Sequence, residues 1–255
     1  MMTIKYDGTF EGLLTLIFEC YEQKLEPQSI IRDNSSNNNL FSYEYFVNTD
    51  EAKAKRVWNG LHRRISAVTC QMLYYTFLSE ERNVEMLILH YVRKVFASNI
   101  TIEANFGDAD VLEMKKIAKK VNKEAGRVPM FVRFQKTADD IYYASYDPQY
   151  NVLPLVTKHF EERFADQRWI IYDTRRNFGY YYDLKTTSEI RFGESKVNTA
   201  DGSFAEEFMA AEEKIFQELW KNYFSAICIR ERLNPKLHVQ LLPKRFWKYL
   251  IEKQA

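Results

Sequence analysis

The stretch that most constrains this chain runs from Tyr150 to Asp183: YNVLPLVTKHFEERFADQRWIIYDTRRNFGYYYD. Val156, Phe160 and Phe164 recur at four-residue steps, which predicts a short helix around 155–164 with one apolar face. Directly after it, WIIYD and FGYYYD have strand composition on either side of a Thr-Arg-Arg-Asn turn. A helix delivered straight into a hairpin must lay its apolar face on the sheet that the hairpin extends. His159, Arg163 and Asp166 follow three- and four-residue steps beside that face, which predicts half-buried groups at its rim. Asp173, Arg175 and Arg176 stand at the hairpin turn, and Tyr180 and Tyr182 alternate with Tyr181 across the following strand.

The flanking sequence extends this unit. MFVRFQK and IYYASYD alternate around a turn at Thr137–Asp140 and predict another hairpin, and Glu189–Phe192 adds an edge strand. The order ββαββ over residues 127–193 predicts a mainly antiparallel sheet with a helix against one face. At the other end of the chain, residues 1–49 read as a βαββ unit. Thr3–Tyr6 is a strand, Thr9 caps a helix from Phe10, and QSIIR and FSYEYFV flank a polar hairpin tip or insertion at 33–39.

Residues 50–126 read as helical. One long helix starts at Thr49-Asp50, with Ala54, Val57, Trp58, Leu61, Ile65, Val68, Met72 and Tyr75 in a single apolar stripe. Ser79, Glu80 and Glu81 start a second helix that buries Val84, Leu87, Ile88, Tyr91, Val92 and Val95 and leaves His90 at the surface. Asp108 opens a third, with Val111, Met114, Ala118, Val121 and Ala125 inward and Lys115, Lys116, Lys119, Lys120 and Lys123 opposite. Gly126 and Pro129 end it.

Residues 203–255 read as C-terminal helices. A capping box, Ser203-x-x-Glu206, begins a long helix burying Phe204, Phe208, Ala211, Ile215, Leu219 and Tyr223 as far as about Arg232. Asn234-Pro235 breaks it, and a short helix begins at Pro243. No repeat or flexible linker intervenes, so the expectation is one compact α+β body over 1–255.

Several function classes find no support. Cys20, Cys70 and Cys228 lie far apart in apolar helical patterns, as buried free thiols do, and the four histidines are isolated. No metal site or cofactor is therefore expected. The C-x-x-x-C-x-x-C of a radical-SAM cluster, the G-x-x-x-x-G-K and G-x-G-x-x-G phosphate loops and G-x-S-x-G are all absent. No apolar stretch approaches the ~20 residues of a membrane span, and the expectation is a cytoplasmic protein without membrane contact. A formal net charge of +1 provides no global field for a polyanion, so any such contact must be local.

The most basic local patch is the C-terminal tail. Arg230, Arg232, Lys236, Lys244, Arg245, Lys248 and Lys253 face only Glu231 and Glu252, and Phe246, Trp247 and Tyr249 interleave with them. The rings can dock the tail on the core while the cations face outward, and both roles can hold at once.

YDGTFEGLLTLIFECYE, the FLSEE junction, FVRFQ, the 150–183 stretch and NPKLHVQLLPKRFWKYLIEK together resemble a bacterial family of unknown function described as probable DNA metabolism proteins. Members of that family are encoded beside a radical-SAM protein assigned to DNA modification or repair. Some are fused to a domain of the uracil-DNA glycosylase family, although none of that enzyme's motifs occurs here. Two departures stand out: Gly126 in Glu124-Ala125-Gly126-Arg127, where the family often has histidine, and Leu242, where it tends to have methionine. The resemblance implies a DNA context with a radical-SAM partner and no catalytic map.

Three functions remain open on these residues. In the first, a DNA-binding accessory holds phosphates with Arg163, Arg175, Arg176, Lys244, Arg245 and Lys248, with Trp247 beside them. In the second, an enzyme acting on DNA or nucleotides uses His159 as general acid or base, oriented by Asp166 or Asp173. The third is a structural adaptor without nucleic-acid contact. Each cluster also has an ordinary structural explanation, since ion pairs fix helix–hairpin junctions and turn arginines are commonly solvated.

Overall fold

The computed structural model of the chain describes residues 2–32, 43–98, 100–192 and 208–254, which divide into two compact units, 1–122 and 123–255. In the first unit β1 (Met2–Tyr6) is followed by α1 (Phe10–Glu22), β2 (Ser29–Arg32) and β3 (Tyr43–Val47). Thr9 caps α1, its hydroxyl accepting from the Gly12 amide at 2.9 Å. The strands form a parallel sheet in the order β2-β1-β3. That corrects the N-terminal hairpin: β2 and β3 lie on opposite sides of β1, and parallel strands need a crossover where a tight turn would serve antiparallel ones. The polar run at 33–39 lies outside the described residues.

The long helix expected after Asp50 is two, α2 (Glu51–His62) and α3 (Ala67–Leu78). Asp50 accepts from the amides of Ala52 and Lys53, as a cap should. The break falls where the Ser66 hydroxyl accepts from Thr69 N and starts α3 afresh. The apolar spacing runs on through the break almost in phase, which disguises it, but Val68 emerges 74% exposed. The next helix, α4 (Val84–Ala97), starts at Asn83 and not at Ser79. Ser79 instead caps the end of α3, its hydroxyl donating back to the Thr76 carbonyl at 2.7 Å. Asp108 supports the start of α5 (Ala109–Ala125) by accepting from the amides of Asp110 and Val111. The lysine face of α5 is solvated, with Lys116 and Lys120 paired to Glu113 and Glu81.

The second unit carries the ββαββ pattern. Pro129 sits in the first turn of α6 (Val128–Phe131), whose φ its ring already fits, so the strand expected over 130–136 shrinks to β4 (Gln135–Lys136). β5 (Tyr142–Tyr146), α7 (Leu153–Arg163), β6 (Trp169–Asp173), β7 (Phe178–Tyr182) and β8 (Thr187–Ile190) complete a sheet in the order β4-β5-β6-β7-β8. The pairing is antiparallel except between β5 and β6, which α7 joins as parallel neighbours. Val156 and Phe160 of α7 are buried, and Phe160 meets the fully buried Trp169 at 6.0 Å. Trp169 stacks in turn on Tyr182 at 5.5 Å, so that tyrosine is core.

The C-terminal helices are α8 (Glu213–Ile227), α9 (Pro235–Leu241) and a 3-10 turn over Lys244–Tyr249. The long helix stops five residues short of Arg232, and the capping box at Ser203, with Phe204, lies outside the described residues. Its expected apolar face is not buried: Ile215, Leu219 and Tyr223 are all more than half exposed, and Phe208 is 38% exposed. Amphipathic spacing shows that a helix has an apolar side, and only the neighbours decide whether anything covers it. Cys20 and Cys70 are buried and burial pushes the Cys20 thiol up to about 11, whereas Cys228, expected inside, is only half-buried. Among the described residues no helix is long and apolar enough to cross a membrane.

Candidate anion-binding interface

Because β5 and β6 are parallel neighbours in register from Tyr142↔Trp169 to Tyr146↔Asp173, their carboxyl ends open on the same rim of the sheet. The loop after β5 is Asp147-Pro148-Gln149, and the turn after β6 is Thr174-Arg175-Arg176-Asn177.

Asp173 organises the turn. Its carboxylate is fully buried; Oδ1 accepts from the amides of Arg175 (2.9 Å) and Arg176 (3.0 Å), and Oδ2 from Arg176 Nη1 (2.8 Å). Burial pushes its pKa up, against the opposing pull of the Arg176 guanidinium and the two amides. Asn177 closes the turn at φ 53°, the left-handed region that asparagine tolerates. Arg176 then reaches the loop after β5, donating to the carbonyls of Pro148 and Gln149 at 3.2 Å each. Arg175 donates to the Gln149 carbonyl at 3.3 Å, and its Nε lies 3.2 Å from Asp147 Oδ1.

The C-terminal turn arrives at the same rim. Phe246 is fully buried and stacks on Tyr146, with centroids 5.1 Å apart and planes 13° from parallel. With that ring as anchor, Arg245 Nη1 donates to Gln149 Oε1 at 3.0 Å while Nη2 pairs with Glu124. Lys248 Nζ lies 3.6 Å from Asp147 Oδ2, and the Tyr249 and Thr174 hydroxyls are 3.1 Å apart. Glu124 is only 2% exposed; it also accepts from Gln149 N at 3.0 Å and lies 3.5 Å from Arg127 Nη1.

Five cations, Arg127, Arg175, Arg176, Arg245 and Lys248, thus surround three carboxylates, Glu124, Asp147 and Asp173. Glu124 and Asp173 are the buried members, Asp147 is 28% exposed, and three cations are the outer ones: Arg175, Arg245 and Lys248 keep 54%, 36% and 39% of their side chains in solvent. Buried carboxylates of this sort hold guanidinium groups in fixed directions, so the surplus positive charge meets solvent already oriented. An arrangement like this can bind an oxyanion. Among the described residues no group of three or more His, Cys, Asp or Glu side chains is placed to hold a metal ion.

The residues singled out from sequence therefore separate. Arg175, Arg176, Arg245, Lys248 and Asp173 come together, the last as a structural acid. His159 is exposed where a half-buried position was expected; its ring meets Phe160 edge-on at 5.4 Å and makes no hydrogen bond or ion pair among the described residues. Arg163 is exposed with its guanidinium 6.0 Å from the Phe164 ring, and Asp166 is exposed. None of the three is hydrogen-bonded to Asp173. Trp247 donates to the Leu242 carbonyl at 3.1 Å and takes the edge of His238, and Lys244 lies 5.8 Å from its ring, so this tryptophan anchors the turn. Glu124, Arg127, Asp147 and Gln149 were not singled out. Glu124 and Arg127 carried one signal, their place in the Glu-Ala-x-Arg segment of the family resemblance; Asp147 and Gln149 gain a role only from the parallel pairing of β5 with β6.

A family model, DUF4130, described as a domain of unknown function, matches residues 82–252, well over half of the chain and the whole of this rim. The chain belongs to the DUF4130 family. No curated protein matches it. Among solved structures, a pGpG-specific phosphodiesterase, PggH from Vibrio, aligns over 88% of this chain and 98% of its own with 8% identity and a TM-score of 0.30, too distant to bear on the chemistry of this DUF4130 member.

Proposed function

We propose that the rim around Gln149 binds the phosphate backbone of DNA, and that the protein is a DNA-binding accessory in repair or modification, working beside a radical-SAM partner. The observation that carries this is the convergence of two basic segments, the β6–β7 turn and the C-terminal turn, on one loop. The residue choice supports phosphate as the anion, since four of the five cations are arginines, whose planar fork matches phosphate oxygens. The DNA context and the partner rest on the family resemblance. Such contacts position a backbone without reading its sequence, and a handful of them gives affinities of roughly 10⁻⁴–10⁻⁶ M at physiological salt.

The test is a gel shift over a salt series with Arg175→Gln plus Lys248→Gln, both sites being more than a third exposed. Lys158→Gln, in a side chain 84% exposed on α7, serves as control. Binding should weaken in the double variant and stay unchanged in the control. The salt slope should flatten by about one for each phosphate that the variant no longer neutralises. A folded double variant with wild-type affinity and slope would remove DNA from the rim. Pulldown with and without DNA checks the partner: recovery of a radical-SAM protein supports the pairing and its absence in both removes it.

A further inference from the structure

A second feature of the same unit lies outside the cation rim: a cleft of about 400 Å³ lined by Arg133, Phe134, Tyr142, Phe216, Gln217 and Trp220, with Lys136, Glu213 and Ile251 at its margins. This is the small end of ligand-sized pockets, and four of its nine lining residues carry aromatic rings. Phe134 is held from behind by Phe160 and Phe164, with centroids at 5.9 and 5.3 Å. Trp220 is held by its indole N–H, which donates to Glu252 at 2.9 Å. Phe216 is 56% exposed although α8 turns it toward this cleft. Four lining residues are polar or charged: Arg133, Lys136, Glu213 and Gln217. Arg133 Nε is buried with no hydrogen-bond partner among the described residues, while its Nη2 is committed to Glu252 at 2.8 Å. Gln217 Nε2 donates to Glu213 at 3.1 Å, which leaves its carbonyl oxygen as an acceptor.

A cleft with four rings in its lining, Arg133 beside it and the Gln217 amide oxygen as an acceptor is suited to a planar heterocycle with a donor on its edge. The cleft is also linked to the rim. A narrow crevice of about 30 Å³ runs along Arg133, Ser145, Lys248 and Tyr249, sharing Arg133 with the cleft and Lys248 with the cation cluster. Arg133 thus borders both the cleft and the crevice that Lys248 lines, which sets the cleft beside the cation cluster.

We infer that this cleft receives a single unpaired base of a DNA strand whose backbone lies on the rim. The inference deepens the DNA-binding function and rests on it. An unpaired base offers a π-face of any sequence, and stacking on rings is tolerant of base identity. A duplex keeps its bases stacked internally, so a strand already single, or locally opened, is the substrate class that fits.

The experiment compares an oligothymidylate with a strand of equal length and phosphate number whose sugars carry no bases, both titrated against the full-length protein. The base-bearing strand should bind roughly ten-fold more tightly. Phe216→Ala should remove most of that difference while leaving the abasic strand's affinity unchanged. Phe216→Leu, which keeps apolar bulk and loses the ring face, should behave like the alanine variant. Equal binding of the two strands by the wild type would overturn the cleft and leave the rim standing. A base preference unaltered by Phe216→Ala would also overturn it, by placing the contact elsewhere. Failure of both strands to bind would remove the rim, and this inference with it.

Discussion

Gln149 and Gly179 show how much single positions decide here. Gln149 has no charge, yet its carbonyl takes Arg175 and Arg176, its side-chain oxygen takes Arg245 and its amide donates to Glu124, so it ties three parts of the chain together. Gly179 lies opposite Tyr172 in the β6–β7 pair, where a Cβ would come within 2.5 Å of the Ile171 carbonyl and 3.0 Å of the Tyr172 Cα. Both contacts are backbone and cannot swing aside, so the strands would have to separate. We predict that Gly179→Ala costs about 1–3 kcal/mol, read as a lowered midpoint in urea unfolding.

At the scale of elements, the C-terminal turns hold both the rim and the cleft. Glu252 accepts from Arg133 Nη2 and Trp220 Nε1, joining the segment after α6 to α8. Burial alone would raise its pKa, but the bonds from Arg133 and Trp220 outweigh burial and leave it below the ordinary carboxylate range. A carboxyl depressed in the folded state contributes stability at pH values above its unfolded pKa and loses that contribution as pH falls through the folded value. Wild type should therefore exceed Glu252→Gln in stability near neutrality, and the gap should close as pH falls below the unfolded carboxyl value of about 4.3 and through the lower folded one. Urea melts at several pH values measure this; a gap independent of pH would show that the charge on Glu252 contributes nothing. The α7 helix makes the opposite point, since its apolar face packs as its spacing requires while His159 and Arg163 remain on the solvent side.

At the scale of the molecule, a net charge of +1 restricts where a polyanion can be held. If the rim is the site, log K against log salt should be no steeper than about −2.7 for duplex and about −2.1 for a single strand, which is what three phosphates on the three outer cations yield. A steeper slope would bring in another surface, the lysine face of α5 being the most basic remaining. Much of the second unit is legible in the sequence, because period-four and period-two spacing name helices and strands wherever one face is covered. Capping residues are less legible: Ser66 and Ser79 look alike in sequence, yet one starts a helix and the other bonds backward to end one. The exposed face of α8 is hidden for a related reason, since spacing reports that residues share a side without reporting what lies over it.

The sequence by itself determined the ββαββ order from β4 to β7, the docking of Phe246 with cations beside it, and the two basic segments, because each depends on residues within a few turns of one another. Only the tertiary structure decided that β5 runs parallel to β6, that Arg175 and Arg245 therefore share Gln149, and that His159 stands apart from Asp173. Those outcomes depend on pairings between segments far apart in the chain, settled by how the sheet closes and by which buried carboxylate each guanidinium can reach.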